Sequence, residues 1–222
     1  MRFEYECLID IPVFSVRIVW YNNIMPPTEM ININGMWQTE LLIYEGSYFY
    51  RILINEKILI NDYGANMYLP DEYSMLWSVL NVNGDGQRLY NNEQYNVNVD
   101  SCCICNNCNN DVLPKESTKV FRLNNDSIVA GRFDFSEVTG IHTVSAIWLN
   151  PAGNVFDVTE NNLFKEEDDN VIIWLCLDLK SKNMRYINGM WTIKLIIDGK
   201  YILEDRFTIK GRADYFSLNI IV

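Results

Sequence analysis

Ile33-Asn34-Gly35-Met36-Trp37 recurs 154 positions later as Ile187-Asn188-Gly189-Met190-Trp191, and each copy runs into an alternating apolar segment. Successive side chains of a strand point to opposite faces, so Trp37, Thr39, Leu41 and Ile43 share one side in the first copy. Trp191, Ile193, Leu195 and Ile197 do so in the second. A turn signal follows each, Glu45-Gly46 and Asp198-Gly199, and then a second alternating run, residues 48–55 and 201–209. Each copy predicts a hairpin led by Gly-Met-Trp, and the pair predicts two domains of one architecture.

The same period-two pattern marks Val16, Ile18 and Trp20; residues 75–82; Val144, Ala146 and Trp148; and Val171, Ile173, Leu175, Leu177 and Leu179. Helical spacing is sustained nowhere. Turn clusters such as Asn83-Gly84-Asp85-Gly86 and Asn150-Pro151-Ala152-Gly153-Asn154 separate the runs. The reading is all-β: two tandem immunoglobulin-like antiparallel β-sandwiches. With 222 residues, 49% of them apolar, the chain can bury such cores without a disulfide or metal staple. The expected boundaries are 1–99 for the first sandwich, 100–118 for a linker rich in Cys and Asn that also holds Pro114, and 119–222 for the second. Residues 214–222 form an apolar, β-prone extra strand that needs a partner edge, in its own domain, on the first domain or on another protomer.

A net charge of −11 with no basic cluster argues against nucleic acid and anionic membrane as partners. Glu4, Glu6 and Asp10 break the apolar core of about 7 to 15 residues that an export signal needs. The longest apolar run, Val171 to Leu177, falls well short of the roughly 20 residues of a spanning helix. The expectation is synthesis in the cytoplasm, with a cell or spore surface as a setting for assembly.

From about Val13 to Val82 the order of features resembles the glycogen-binding module of AMP-activated protein kinase β subunits and starch-branching enzymes. Gly35-Met36-Trp37, the aromatic run from Glu45 to Lys57, Asn61-Asp62-Tyr63 and the closing Ser78-Val79-Leu80-Asn81-Val82 carry the resemblance. It implies an immunoglobulin-like sandwich. It also implies a sugar site made of two exposed tryptophans, a lysine and an asparagine, because an aromatic platform flanked by polar groups matches the apolar face and polar edge of a sugar ring. Arg51 stands in the lysine's place, Ile24 and Ile58 in those of the tryptophans and Trp77 in that of the asparagine, so the match speaks for fold more than for sugar. The second half, from Ile128 to Ile209, resembles the immunoglobulin-like domains of many bacterial proteins through Gly189-Met190-Trp191, Asp198-Gly199 and Phe207-Thr208-Ile209.

Arg51, Tyr63, Tyr68, Tyr73 and Trp77 are the candidate carbohydrate or partner surface, with packing as the reading for most of the four aromatics and a sugar or protein contact for the rest. Cys102, Cys103, Cys105 and Cys108 are candidates for disulfides, within the chain or between chains, or for a metal; free thiols in a loop are the third reading. Cys7 and Cys176 read as buried, inert strand residues. His142, the one histidine, has no nucleophile motif around it. The acidic run Glu166-Glu167-Asp168-Asp169 reads as a solvated loop. Trp20, Trp37, Trp148 and Trp191 are core candidates, and Trp174 faces the opposite side of its strand. No cofactor is expected. The sum is a non-catalytic protein-interaction or structural assembly module working through a protein partner or self-assembly, with polyglucan binding as the alternative.

Overall fold

The computed structural model describes residues 1–65, 67–89, 96–108, 117–164, 170–181 and 185–211. Pro114, the acidic run 166–169 and the apolar segment 214–222 lie outside the described residues.

The chain runs through β1 (Arg2–Glu6), β2 (Val16–Trp20), β3 (Thr28–Glu29), β4 (Ile31–Ile33), β5 (Met36–Glu40) and β6 (Gly46–Ile54). It continues through β7 (Ile58–Ile60), β8 (Tyr68–Pro70), β9 (Leu76–Val82), β10 (Arg88–Leu89), β11 (Asn96–Cys105) and β12 (Val120–Arg122). The last six are β13 (Ile128–Thr139), β14 (Ile141–Leu149), β15 (Val155–Phe164), β16 (Val171–Asp178), β17 (Gly189–Ile197) and β18 (Lys200–Lys210). No α-helix occurs among the described residues, and none of their helices is long and apolar enough to cross a membrane.

In the second half, sheet order β11-β13-β16 faces β12-β18-β17-β14-β15. These are the A-B-E and G-F-C-C′ orders of an immunoglobulin sandwich, with β12 added in parallel beside β18. In the first half, β1-β5-β4 faces β10-β9-β6-β2-β3, which reads as B-E-D against G-F-C-C′. The expected all-β, tandem antiparallel architecture is therefore present, and each half has its own apolar core.

The repeated pentapeptide does not mark equivalent strands. Asn34-Gly35 is the two-residue turn of the β4–β5 hairpin, pairing Ile33 with Met36, and both turn residues have positive φ, 55° and 91°. β5 then pairs with β1 and β4, while β6 belongs to the opposite sheet. The first predicted hairpin is thus a crossing between sheets. Only the second copy forms the expected hairpin, β17 with β18, closed by Asp198 and Gly199 at φ 50° and 84°. Both tryptophans are buried, so an identical sequence serves one apolar purpose in two strand positions.

The true correspondence is Val16–Trp20 with Val144–Trp148. Val16, Ile18 and Trp20 pair with Ile54, Ile52 and Tyr50 on β6. Val144, Ala146 and Trp148 pair with Ile197, Leu195 and Ile193 on β17. Each strand carries the buried tryptophan of strand C at or next to its end, and each indole Nε1 donates to a threonine on the neighbouring strand, Trp20 to Thr28 (3.1 Å) and Trp148 to Thr159 (2.9 Å).

Two further features depart from the sequence reading. Asp100 to Cys105, expected in a linker, belong to β11, paired with β13. β11 is an edge strand with two register shifts, between Asn96 and Asn98 and between Val99 and Ser101. A bulged edge strand has neither strict alternation nor much apolar content, which is why it read as a linker. In the first half, strand G is broken: β7 and β9 both pair with β6, and between them the chain leaves the β6 ladder at Asn61 and returns to the sheet as β8, paired with β9. That excursion is what the second sandwich meets.

Candidate functional site

The two sandwiches meet at a polar clasp built on the excursion. Ile147 and Ile196, on the outer face of the β14–β17 sheet, together with Leu149 join the first half's core. Full burial of such a side chain contributes about 1.5–3 kcal/mol. Around them the contact is polar. Asn61, fully buried, donates from Nδ2 to the Leu76 carbonyl (3.1 Å) and to Thr143 Oγ1 of the second half (2.8 Å). Its Oδ1 accepts from the Ser78 amide at 2.8 Å. The Asp198-Gly199 turn presses against the same residue: a Cβ on Gly199 would stand 2.2 Å from the Asn61 carbonyl oxygen. No side chain fits there.

Asp62 is buried beside it, accepting from Tyr50 Oη at 2.7 Å and from the Gly64 amide at 2.8 Å. Burial raises its pKa, with those hydrogen bonds opposing. On the other side of the turn, His142 Nδ1 lies 2.6 Å from Asp198 Oδ2 and Nε2 lies 3.0 Å from the Thr139 carbonyl. Burial alone would lower the His142 pKa, but the hydrogen bond and charge of Asp198 outweigh it and the net shift is upward. Both acceptors require an N–H, so the site favours the imidazolium. Two ion pairs complete the clasp. Arg51 on β6 reaches Glu160 on β15 with both terminal nitrogens, and Lys194 on β17 bridges Asp10 (2.9 Å) and Glu204 (2.7 Å). A cleft of about 710 Å³ opens beside the turn, lined among others by Tyr63, Tyr68, His142, Asp198 and Lys200.

The five residues expected to form one carbohydrate or partner surface are dispersed. Arg51 is 1% exposed and faces Glu160, because alternation along β6 turns it away from its own core and into the second sandwich. Tyr68 is buried and donates to the Asp62 carbonyl at 3.0 Å. Trp77 is 8% exposed, packs edge-on against Tyr21 and donates from Nε1 to Asp71 at 2.9 Å. Only Tyr63, at the cleft, and Tyr73, at 81%, reach solvent. Packing thus accounts for Tyr68 and Trp77, and what alternation along β6 does not reveal is that the face bearing Arg51 is covered by the second sandwich. The clasp residues Asn61, Thr143, Glu160, Lys194 and Asp198 carry no local signal for their roles, because each acquires its partner only when the halves dock.

The cysteines divide as well. Cys102 turns toward the second core. Cys103 accepts from Ser117 Oγ at 3.5 Å, and Cys105 is buried against the Ala130 carbonyl. Cys108, exposed, brings its sulfur to 2.8 Å from that of Cys176. Cys176 therefore does not sit inert among apolar neighbours, and Cys7 lies just beyond β1, half-buried. Among the described residues no group of three or more His, Cys, Asp or Glu side chains is placed to hold a metal ion.

The fold is all-β, built of antiparallel sheets in immunoglobulin-like strand order. No protein-family model matches the chain, and neither does any curated protein. Three solved structures are similar at low identity. An immunoglobulin-like protein from Pseudomonas aeruginosa is 12% identical, over 52% of this chain and 97% of that one, with a TM-score of 0.37. An alkylpurine DNA glycosylase from Pseudomonas fluorescens, bound to DNA containing an abasic site analog, is 8% identical over 53% of this chain and 31% of its own, TM-score 0.35. A DUF3823 family protein from Bacteroides ovatus is 11% identical over 94% and 99%, TM-score 0.27. At such values none assigns a family or an activity.

Proposed function

We propose that the protein is a non-catalytic interaction module whose two sandwiches present a fixed surface for assembly, first of all with a second copy of itself. One observation carries the reading: the ionisable groups with chemical potential at the interface, His142, Asp198, Arg51 and Glu160, are engaged with one another or with backbone. A clasp of that kind suits a rigid scaffold. The surface that favours contact with a partner is the β4 edge of the first sandwich, where Ile31 is 70% and Ile33 50% exposed. An apolar edge strand is a template for pairing with another chain. Sedimentation velocity over a wide concentration range tests this: reversible self-association, abolished by Ile31→Lys with Ile33→Lys, is the expected result. A native chain that stays monomeric throughout removes self-assembly. A cell or spore surface setting belongs to the same reading and is tested by fractionation of the source cells.

The polyglucan alternative draws support from Tyr63 and Tyr73 alone, since the other three candidates are buried. Retardation in native gels containing glycogen, lost on Tyr63→Ala with Tyr73→Ala, would favour it. Unchanged mobility would remove it.

A further inference from the structure

On the outer face of the β11-β13-β16 sheet, Cys105 and Cys176 flank Ala130 in one cross-strand row, each registered directly opposite it. The methyl group between them leaves the row low. The chain leaving β11 folds back over it so that Cys108, three positions beyond Cys105, sets its sulfur 2.8 Å from that of Cys176. The two cysteines are 68 positions apart. We infer that Cys108 and Cys176 form a reversible intramolecular disulfide, a modification site that fastens the chain end of β11 to β16.

The chemistry is thiol oxidation by a hydroperoxide. The thiolate of exposed Cys108 attacks the distal peroxide oxygen, the O–O bond breaks, and a sulfenic acid and water form. The Cys176 sulfur then displaces the hydroxyl group from the Cys108 sulfur, its proton leaves with that group as a second water, and the S–S bond closes. Two thiols lose two electrons and two protons, and hydrogen peroxide becomes two waters. The order of roles follows from the surroundings. Cys176 is half-buried, and burial together with its contact to Cys108 pushes its pKa up to about 12, so it is held as the thiol. Cys108 is the sulfur a peroxide can reach.

Reduced protein, freed of small thiols, is treated with hydrogen peroxide, alkylated under denaturing conditions and mapped by mass spectrometry. The expected result is a fall in titratable thiols from the six of the sequence to four, with a Cys108–Cys176 linked peptide in a chain that still migrates as a monomer on non-reducing gels. In Cys176→Ser the Cys108 sulfenic acid should persist and be trapped by dimedone. In Cys105→Ser the link should form as in the parent. Retention of all six thiols, a Cys105–Cys108 link, or a link to another chain in the parent protein overturns the inference.

Discussion

Arg51 and Glu160, 109 positions apart and one in each sandwich, meet through both terminal guanidinium nitrogens, at 3.0 and 2.5 Å. The environment is asymmetric, with the Arg51 side chain 2% and that of Glu160 25% exposed. Removing one partner of a buried pair is costly chiefly because the other charge stays behind unpaired. Glu160→Gln leaves the more buried ion and should cost about 3–5 kcal/mol. Arg51→Met fills the volume and leaves a carboxylate that water can reach, so the loss should be smaller, about 2 kcal/mol or less. Urea unfolding of both variants checks the order. Equal losses would mean that the burial difference does not set the energetics.

The Gly199 contact predicts a position-specific penalty. At φ +84° any side chain pays a left-handed backbone cost of about 1–2 kcal/mol. Gly153, at φ +77°, has no atom within 4 Å of where its Cβ would be and serves as the control. Gly153→Ala should cost that backbone increment alone. Gly199→Ala must also displace the Asn61 carbonyl, and a strained core contact of this kind adds about 1–3 kcal/mol. Thermal unfolding of the pair should separate them, and the Gly199 variant should also gain protease sensitivity at the seam between the sandwiches.

His142 gives a pH dependence with a definite sign. Its folded pKa is raised, so the folded state binds the proton more tightly than the unfolded chain, whose histidine titrates near 6.5. The contribution is complete below about pH 6.5 and is lost as pH rises through the higher folded pKa. With a single histidine in the chain, one imidazole resonance reports the titration without assignment. Asp198→Asn should move that midpoint downward and flatten the matching slope in unfolding free energy. A folded midpoint at or below the unfolded one would contradict the imidazolium assignment.

Strand existence was legible in the sequence because alternation survives wherever one face packs on a core, as in Val144, Ala146 and Trp148. Strand identity was not. Ile-Asn-Gly-Met-Trp satisfies a two-residue turn at 34–35 and a strand opening at 189, so equal words occupy unequal positions. The weaker likeness of residues 16–20 to 144–148 marks the duplication, but it shows only in pairing registers. The site was hidden for a related reason. Arg51 lies away from the first core, and nothing local distinguishes a face covered by a second domain from one covered by water; Tyr68 and Trp77 are buried instead by partners of their own half, Asp62 for the one and Tyr21 and Asp71 for the other. For Cys176, strand alternation places the sulfur on the outer face of its sheet, yet only the fold-back of Cys108 gives it a partner.

The paired tryptophans supply a test of the duplication itself. Trp20 Nε1 donates to Thr28 and Trp148 Nε1 to Thr159, each threonine on strand C′ and each half-buried. If the contacts are equivalent parts of one scaffold used twice, Thr28→Val and Thr159→Val should cost similar amounts, because valine keeps the shape and removes the acceptor at both sites, with only a long, solvent-exposed 3.3 Å bond from the Thr28 hydroxyl to the Pro26 carbonyl lost besides. Leaving a buried donor without a partner costs about 1–3 kcal/mol. The two tryptophans belong to separate cores and share no hydrogen-bond partner, so the double variant should lose the sum of the single losses to within about 0.5 kcal/mol. Tryptophan fluorescence during denaturant unfolding reads all three. A large loss at one site and none at the other would show that the matching geometry does not carry matching energy, and that the halves share a topology without sharing its anchor.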